Sequence, residues 1–283
     1  MRDSMSGKTV VITGGTSGIG EVAAVELAKF GARIVLVARD VARADATMQK
    51  LASANPAVAH ALHIADLSSL FEMKRVAAEI AAAEPRIDVL INNAGGFFEE
   101  RETTVDGLEL TFALNHMAYF IITNGLIERL KATPGARIVS TASDAHKMAR
   151  LDLDDLQSEK RFNGFRTYGT TKLMNILFTR QLAKRLEGSG VAAYCLHPGF
   201  VATRFADNND GIMGWIFSVL KKLLAISPQK GARTITYLAS TAQSLGKSGS
   251  YWTKCHKVTP SHAARNDGDA AKLWARSEKI ANG

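Results

Sequence analysis

Short apolar segments rich in β-branched residues alternate along this chain with longer segments whose apolar residues have helical spacing. Strands are predicted at 9–12, 34–37, 58–64, 89–91, 137–139 and 191–194, and the first two precede helical segments at 23–30 and 44–51. Near-continuous apolar strands that alternate with helices are typical of a parallel sheet covered on both faces. The sequence therefore predicts one doubly wound α/β domain over residues 1–283, with a parallel sheet of about seven strands.

Composition excludes several classes of protein. Hydrophobic residues make up 46% of the chain and charged residues 22%, whereas disordered chains combine low hydrophobicity with high net charge. The two cysteines, Cys195 and Cys255, are too few for a disulfide framework or for a thiolate cluster that binds zinc or iron–sulfur. We therefore expect a reducing, cytoplasmic compartment and no metal site.

Charge and apolar runs bear on the partners. The net charge is +8, but 35 basic residues are interspersed with 27 acidic ones, so we expect an anionic cofactor rather than nucleic acid. We expect no secretory signal and no integral membrane segment, because no stretch reaches about 18 uninterrupted apolar residues. The oligomeric state stays open, with a homodimer or a homotetramer possible.

A glycine-rich turn, T-G-G-T-S-G-I-G at 13–20, joins the first strand to the first helix. Such a turn lets backbone N–H groups approach a pyrophosphate at the positive end of the helix dipole. Glu21-Val22 replaces the Lys-Ser/Thr of a P-loop, and Ile19 replaces the second glycine of a nucleophile elbow. The usual G-x-G-x-x-G spacing is also absent, so the pattern that remains is T-G-x-x-x-G-x-G.

Tyr168 and Lys172 lie four residues apart in segment 167–186, whose apolar residues keep helical spacing. The two side chains therefore share one helix face, about one turn apart. A free tyrosine has a pKa of about 10 and is a poor base at neutral pH. A lysine ammonium about 5 Å away, at an effective dielectric of about 20, favours the tyrosinate by roughly 3 kcal/mol, or about two pKa units.

These motifs resemble the short-chain dehydrogenase/reductase family, together with N-N-A-G at 92–95 and P-G-x-x-x-T at 198–203. The resemblance covers nearly the whole chain and implies a Rossmann fold. Further features resemble the retinol-dehydrogenase-like branch: Asn115-His116, Ser143 with Ala145-His146, an insert within 150–165, and His197-Pro198-Gly199. Because that branch acts on retinoids, steroids, aldehydes and other compounds, the resemblance leaves the substrate open.

The resemblance assigns four catalytic residues. Tyr168 passes the proton, and Lys172 lowers its pKa and holds the nicotinamide ribose. Ser143 polarises the substrate oxygen, with Ser140 as the alternative serine in the same strand-end motif. Asn115 supports a water relay behind the lysine.

Residues after the second strand bear on which dinucleotide binds. In NAD-binding chains an acidic side chain there hydrogen-bonds the adenosine ribose, but this chain has Ala38 followed by Arg39. Arg39 can pair with a 2′-phosphate, with Arg43 as a second candidate cation, so we predict NADP(H) over NAD(H).

Asp66 matches the family's contact to adenine but also suits a helix N-cap. The predicted cofactor-binding set is Gly14, Thr16, Ser17, Gly18, Ile19, Gly20, Arg39, Asp66, Leu67, Asn93, Ala94, Gly95, Tyr168, Lys172, Pro198, Gly199, Val201 and Thr203.

Segment 203–227 follows the P-G-x-x-x-T motif, where the resembled family has a substrate lid. Its apolar residues keep helical spacing around Trp215, which predicts a lipophilic or aromatic substrate. Alternatively, this segment packs on the core, on a second subunit, or weakly on a membrane surface. His60 and His63 would point to opposite faces of a strand, which argues against a metal pair, and we expect His197 to be packed rather than catalytic.

The sequence thus predicts an NADP(H)-dependent oxidoreductase that exchanges a hydride with a small-molecule alcohol or carbonyl substrate. Two other functions stay open. One is a non-catalytic NADP(H)-binding sensor or scaffold, and the other is a reductase of a conjugated C=C bond.

Overall fold

The structure, a computed structural model, describes residues 4–199, 227–241 and 246–283. Its strands are β1 (Thr9–Thr13), β2 (Arg33–Ala38), β3 (Ala61–Ile64), β4 (Val89–Asn92), β5 (Arg137–Thr141), β6 (Ala192–Leu196), β7 (Ser250–Thr253) and β8 (His256–Val258). They form one sheet in the order β3-β2-β1-β4-β5-β6-β7-β8. All neighbours run parallel except β7 and β8. The predicted α/β class is confirmed.

Helices cover both faces of this sheet. They are α1 (Gly18–Lys29), α2 (Val41–Ala54), α3 (Leu70–Ala83), α4 (Leu110–Lys131), α5 (Gly164–Arg185), α6 (Pro228–Ser240) and α7 (Asp267–Asn282). The apolar residues of α1, α2 and α6 form one core layer, and those of α3, α4, α5 and α7 form the other. In β1, Val10 and Ile12 face the first layer and Val11 faces the second, because successive strand side chains point to opposite faces.

The sheet differs from the prediction at its edge, where it has eight strands rather than seven and the last is antiparallel. The β7–β8 turn places Lys254 (φ 50°) and Cys255 (φ 63°) in the left-handed region, as a type I′ hairpin turn requires. Neither residue belongs to the Asn-Gly or Asp-Gly pairs that usually mark such a turn, so the sequence carried no signal for it. The strand expected at 58–64 is also shorter and begins at Ala61.

Helix α4 carries one of the predicted catalytic residues on an irregular turn. The carboxylate of buried Glu109 accepts the N–H groups of Thr111 and Phe112 (2.8 and 2.7 Å) and so caps the helix. A wider π-helical turn follows at Ala113–Met117 and contains Asn115, and such turns are frequent at functional sites. Among the described residues, α4 alone is long and apolar enough to cross a membrane, but 72% of its apolar window is buried, as in a core helix.

The segment predicted as an insert, 150–165, packs on the body of the domain. Three of its leucines contact the core: Leu151, Leu153 and Leu156. The Gln157 side chain accepts the backbone N–H of Glu109 (2.9 Å), and the hydroxyls of Ser158 and Thr167 are hydrogen-bonded (3.1 Å). These contacts join the insert to the beginnings of α4 and α5.

Candidate active site

The predicted site residues gather at the carboxyl ends of the central parallel strands. The strand order reverses between β1 and β4, since β2 and β3 extend the sheet on one side and β4 to β8 on the other. Ligands of doubly wound sheets bind in the crevice outside the strand ends at such a switch point. The glycine turn after β1, the N-N-A-G segment after β4 and the serine motif after β5 all border this crevice.

The glycine turn packs directly on the end of β4. The Asn93 side-chain amide donates to the carbonyl oxygens of Thr13 and Gly14 (3.2 and 2.9 Å). A Cβ atom at Gly14, whose φ is 65°, would lie 2.7 Å from the Cα of Ala94, and one at Gly20 would collide with the Gly14 carbonyl oxygen. This packing leaves no room for a side chain at Gly14 or Gly20.

The N-terminus of α1 is suited to an anion. Ser17 is the N-cap residue, but its side chain makes no capping hydrogen bond. First-turn N–H groups of a helix have no partner within the helix, and they lie at the positive end of its dipole. With the bare glycine backbone beside it, this end of α1 fits the pyrophosphate of a dinucleotide.

Ion pairing distinguishes Arg39 from Arg43, the two candidate cations for a 2′-phosphate. The Arg43 guanidinium donates to the carboxylate of Asp40 (2.9 Å), which also caps α2 by accepting the Arg43 backbone N–H. Arg39 is exposed and forms no ion pair with any residue in the described ranges. Arg39 is therefore available to an anionic ligand, while Arg43 is already paired.

Asp66 is not the cap of a helix. Helix α3 begins at Leu70 with Ser69 at its N-cap, and one carboxylate oxygen of Asp66 accepts the backbone N–H and the hydroxyl of Ser68 (3.0 and 2.9 Å). Asp66 thus orders the turn before α3, which corrects the N-cap alternative. Its contact to adenine stays a prediction, as does that of the buried neighbour Leu67.

The predicted catalytic residues come together at the start of α5. The Ser143 hydroxyl lies near the phenol of Tyr168 and acts to lower its pKa. The Lys172 ammonium lies 5.4 Å from the centroid of the Tyr168 ring and 5.8 Å from that of Tyr119. Ser140, the alternative serine, lies within β5 between Asn92 of β4 and Cys195 of β6, with its hydroxyl buried. Ser143 rather than Ser140 therefore meets the tyrosine.

Burial dominates the titration of this pair. Lys172 is only 3% exposed, and burial lowers its pKa to about 8. Burial raises the pKa of Tyr168 well above its usual value, and the nearby Ser143 hydroxyl opposes that rise. For the protein alone, the pKa of Tyr168 is therefore not brought towards neutrality as the spacing predicted, because burial disfavours the phenolate.

Asn115 connects the N-N-A-G segment to α5. Its side-chain oxygen accepts the Gly96 N–H (2.8 Å), and its amide donates to the Gly96 carbonyl and the Thr171 hydroxyl (3.0 and 3.1 Å). A Cβ atom at Gly95 would lie 2.8 Å from the Asn115 oxygen and 3.3 Å from the Lys172 nitrogen. The bare backbone of Gly95 is what lets Asn115 and Lys172 approach the crevice together.

The motif after β6 is described only in part. His197 is packed, since its Nδ1 accepts the Gly199 N–H (3.2 Å), its Nε2 lies 3.5 Å from the Asp144 carboxylate, and its ring stacks on Tyr251. Pro198 and Gly199 lie at the strand end. The predicted cofactor residues Val201 and Thr203, and the candidate lid up to residue 226, lie outside the described residues.

Sequence reasoning missed two aromatic neighbours of the catalytic pair. The ring of buried Phe97 packs edge-on against Tyr168, with 6.1 Å between centroids, and buried Tyr119 lies beside Lys172. Phe97 comes just after N-N-A-G, and Tyr119 lies one helical turn beyond Asn115. Their closeness in sequence to a recognised motif could have identified both.

Comparison with known proteins places the chain in a class. The family model for short chain dehydrogenases matches residues 8–211. Retinol dehydrogenase 13 of Homo sapiens is 38% identical over 98% of this chain and 85% of its own length. A crystal structure of an uncharacterized protein from Mycobacterium Paratuberculosis matches with a TM-score of 0.80 and 31% identity, over 99% of this chain and 96% of that chain.

A further structure is described as an NAD(P)-dependent gluconate 5-dehydrogenase from Beutenbergia cavernae with bound NADP. It matches with a TM-score of 0.71 and 25% identity, over 89% of this chain and 96% of that chain. The fold, the site geometry and these similarities agree. The chain belongs to the short-chain dehydrogenase family, is similar to the retinol dehydrogenases, and is an oxidoreductase.

Proposed function

We propose that this protein exchanges a hydride between NADP(H) and a lipophilic or aromatic alcohol or carbonyl compound. The observation that carries the proposal is the setting of Tyr168, with the Lys172 ammonium 5.4 Å from the centroid of its ring and the Ser143 hydroxyl near its phenol. A proton donor, a second hydroxyl and a buried cation thus converge at the switch point of the sheet. These three groups can protonate and polarise the oxygen atom of a substrate.

In the reduction direction, Tyr168 gives its phenolic proton to the substrate oxygen. Because burial raises the pKa of Tyr168, the phenol is protonated at neutral pH and ready to donate. Ser143 donates a hydrogen bond to the same oxygen, and the Lys172 ammonium stabilises the tyrosinate that remains. When bound, the nicotinamide supplies the hydride.

The cofactor would lie along the glycine turn. Gly14 and Gly20 leave the backbone bare, the N-terminus of α1 faces its pyrophosphate, and Gly95 opens the approach to Lys172. The preference for NADP(H) rests on Arg39, since that side chain has no ion-pair partner in the described ranges and position 38 holds an alanine instead of an acid.

Apolar surroundings and the relatives support a lipophilic substrate. Phe97 packs on Tyr168, and Phe98 lies next to it in the same loop. Retinol dehydrogenases, to which the chain is similar, are named for a long apolar alcohol. The apolar pattern of segment 203–227 agrees with this substrate class.

The test is a substrate panel assayed in both directions, with NADPH and NADH for carbonyls and with NADP⁺ and NAD⁺ for alcohols. We expect turnover of apolar aldehydes or ketones with NADPH, weaker turnover with NADH, and turnover lowered about 10²- to 10⁴-fold in a Tyr168→Phe control. Tight NADPH binding without turnover of any substrate would instead favour a sensor or scaffold. Products reduced at a conjugated C=C bond, with the carbonyl intact, would favour that alternative chemistry.

A further inference from the structure

Ser143 lies outside the regular sheet. The last sheet hydrogen bond before it joins the Ala142 N–H to the Leu196 carbonyl (2.6 Å). Ser143 then caps a short 3₁₀ turn, Asp144–Met148, with its side-chain oxygen accepting the Ala145 N–H (3.3 Å). The strand ladder therefore does not fix Ser143, and its position beside Tyr168 needs a separate support.

His146 supplies such a support. Its backbone N–H and its ring Nδ1 both reach the carbonyl oxygen of Ser143 (3.2 and 2.7 Å). Its ring Nε2 lies 3.2 Å from the backbone N–H of Ser261, which can only donate. Nε2 must therefore be unprotonated, and Nδ1 carries the proton that it donates to Ser143. The two hydrogen bonds together select one neutral tautomer.

The imidazole ring has little freedom to move. His146 is fully buried, with 0% of its surface exposed, and its ring packs edge-on against Tyr251 of β7 at 5.3 Å between centroids. Both ring nitrogens are engaged, one by Ser143 and one by Ser261. His146 thus has no free nitrogen for proton transfer with a substrate, and any effect on the reaction has to pass through the groups that it contacts.

The 3₁₀ turn is also confined from the side of α5. A Cβ atom at Gly169 would lie 3.0 Å from the carbonyl oxygen of Ala145 and 3.6 Å from the Cβ of Ala149. The glycine that follows Tyr168 therefore lets the turn approach the helix closely. Helix α5 holds the turn on one side, and His146, through Ser261 and Tyr251, holds it on the other.

We infer that His146 is a positioning residue: it fixes Ser143 beside Tyr168 by joining the Ser143 carbonyl to the backbone at Ser261. This inference rests on the proposed function, in which Ser143 polarises the substrate oxygen. It adds a specific hydrogen bond, Nδ1–H to the Ser143 carbonyl, on which the turnover rate depends.

Two matched variants test that hydrogen bond. Asparagine places its amide nitrogen near the position of Nδ1, whereas glutamine reaches towards Nε2, and both lose the ring. We expect His146→Asn to keep kcat within about fivefold of the wild type and His146→Gln to lower it about 10- to 100-fold, the size of loss that a small misplacement produces. NADPH affinity should change less than about twofold in both. Equal values of kcat in the two variants would overturn the inference.

A double-mutant cycle tests whether the effect passes through Ser143. In a Ser143→Ala background, His146→Gln should lower kcat no further, because the group that it positions is gone. A full additional loss in that background would overturn the inference alone. A normal kcat in Ser143→Ala by itself would overturn the role proposed for Ser143 and this inference with it.

Tyr251 offers a second route that leaves His146 intact. Tyr251→Phe keeps the ring that packs on the imidazole, and Tyr251→Leu removes it. We expect Tyr251→Leu to lower kcat several-fold relative to Tyr251→Phe, and expect that difference to vanish in the Ser143→Ala background. Persistence of the difference without Ser143 would contradict the positioning role, even if the His146 variants do not fold.

Discussion

The ammonium of Lys172 lies 5.4 Å from the centroid of the Tyr168 ring, one turn further along α5. Both groups are buried, and burial disfavours the charged form of each. Burial lowers the pKa of Lys172 to about 8 and raises that of Tyr168. The cation that would stabilise a tyrosinate therefore loses its charge only slightly above neutral pH, while the phenol keeps its proton.

The first prediction concerns the pH dependence of carbonyl reduction. Below pH 8 the lysine is charged and the tyrosine protonated, so kcat should be constant, and it should fall above about pH 8 as Lys172 loses its proton. Lys172→Arg retains a charge to far higher pH, so the falling limb should move up by more than about one unit even if kcat is lower overall. Steady-state kcat between pH 6 and 10 measures this dependence. If the fall in kcat occurs at the same pH in the arginine variant, a group other than Lys172 causes it.

The second prediction concerns the choice of cofactor. Changing Ala38→Asp together with Arg39→Ala removes a cation and adds a carboxylate that repels a 2′-phosphate. The ratio of kcat/KM for NADPH to that for NADH should fall by about 100-fold or more, since a lost charge-assisted bond and a new repulsion each contribute about 1.5–3 kcal/mol. Kinetics with both cofactors provide the readout.

The matched control for the second prediction is Arg43→Ala. Because Arg43 is already paired with Asp40, its loss should change the ratio less than about threefold. If the control shifts the ratio and the double variant does not, the phosphate is bound by Arg43 rather than Arg39.

The third prediction separates close packing in the glycine turn from backbone strain. Gly14 and Gly107 both have positive φ, 65° and 75°, but only a Cβ at Gly14 meets backbone, 2.7 Å from Ala94. Each alanine variant should cost roughly 1–2 kcal/mol of stability from its left-handed conformation. Only Gly14→Ala should also weaken NADPH binding, by more than about tenfold. Calorimetric titration of both variants measures this, and equal affinities would show that the turn does not contact the cofactor.

The fourth prediction concerns the candidate lid, whose apolar pattern is known from the sequence alone. Phe217→Ser should raise KM for bulky apolar carbonyls well over tenfold, about the effect of losing 1.5–3 kcal/mol of apolar burial. Short polar carbonyls and NADPH should be affected much less. Lys221→Ser, on the polar side of the same pattern, is the control. Equal losses for every substrate, or a change in oligomer mass instead, would place the segment outside the active site.

The sequence predicted the sheet and the catalytic pair because both depend on local spacing. Strands such as β1 have an uninterrupted apolar centre, and Tyr168 and Lys172 share a helix face through their four-residue separation. The antiparallel edge strand was missed because Lys254 and Cys255 form a hairpin turn, and neither residue type is typical of such a turn. The titration of Tyr168 was misjudged because spacing gives the distance to a charge but not the depth of burial, which decides the sign of the shift.

The central claim is that Tyr168 is the proton donor of an oxidoreductase, and Tyr168→Phe tests it most directly. The variant keeps the ring that packs against Phe97 and removes only the phenolic hydroxyl near Ser143. Measured with the best carbonyl substrate and saturating NADPH, kcat should fall about 10²- to 10⁴-fold while the Kd for NADPH stays within about threefold. Turnover close to that of the wild type, in a variant that still binds NADPH, would contradict the account.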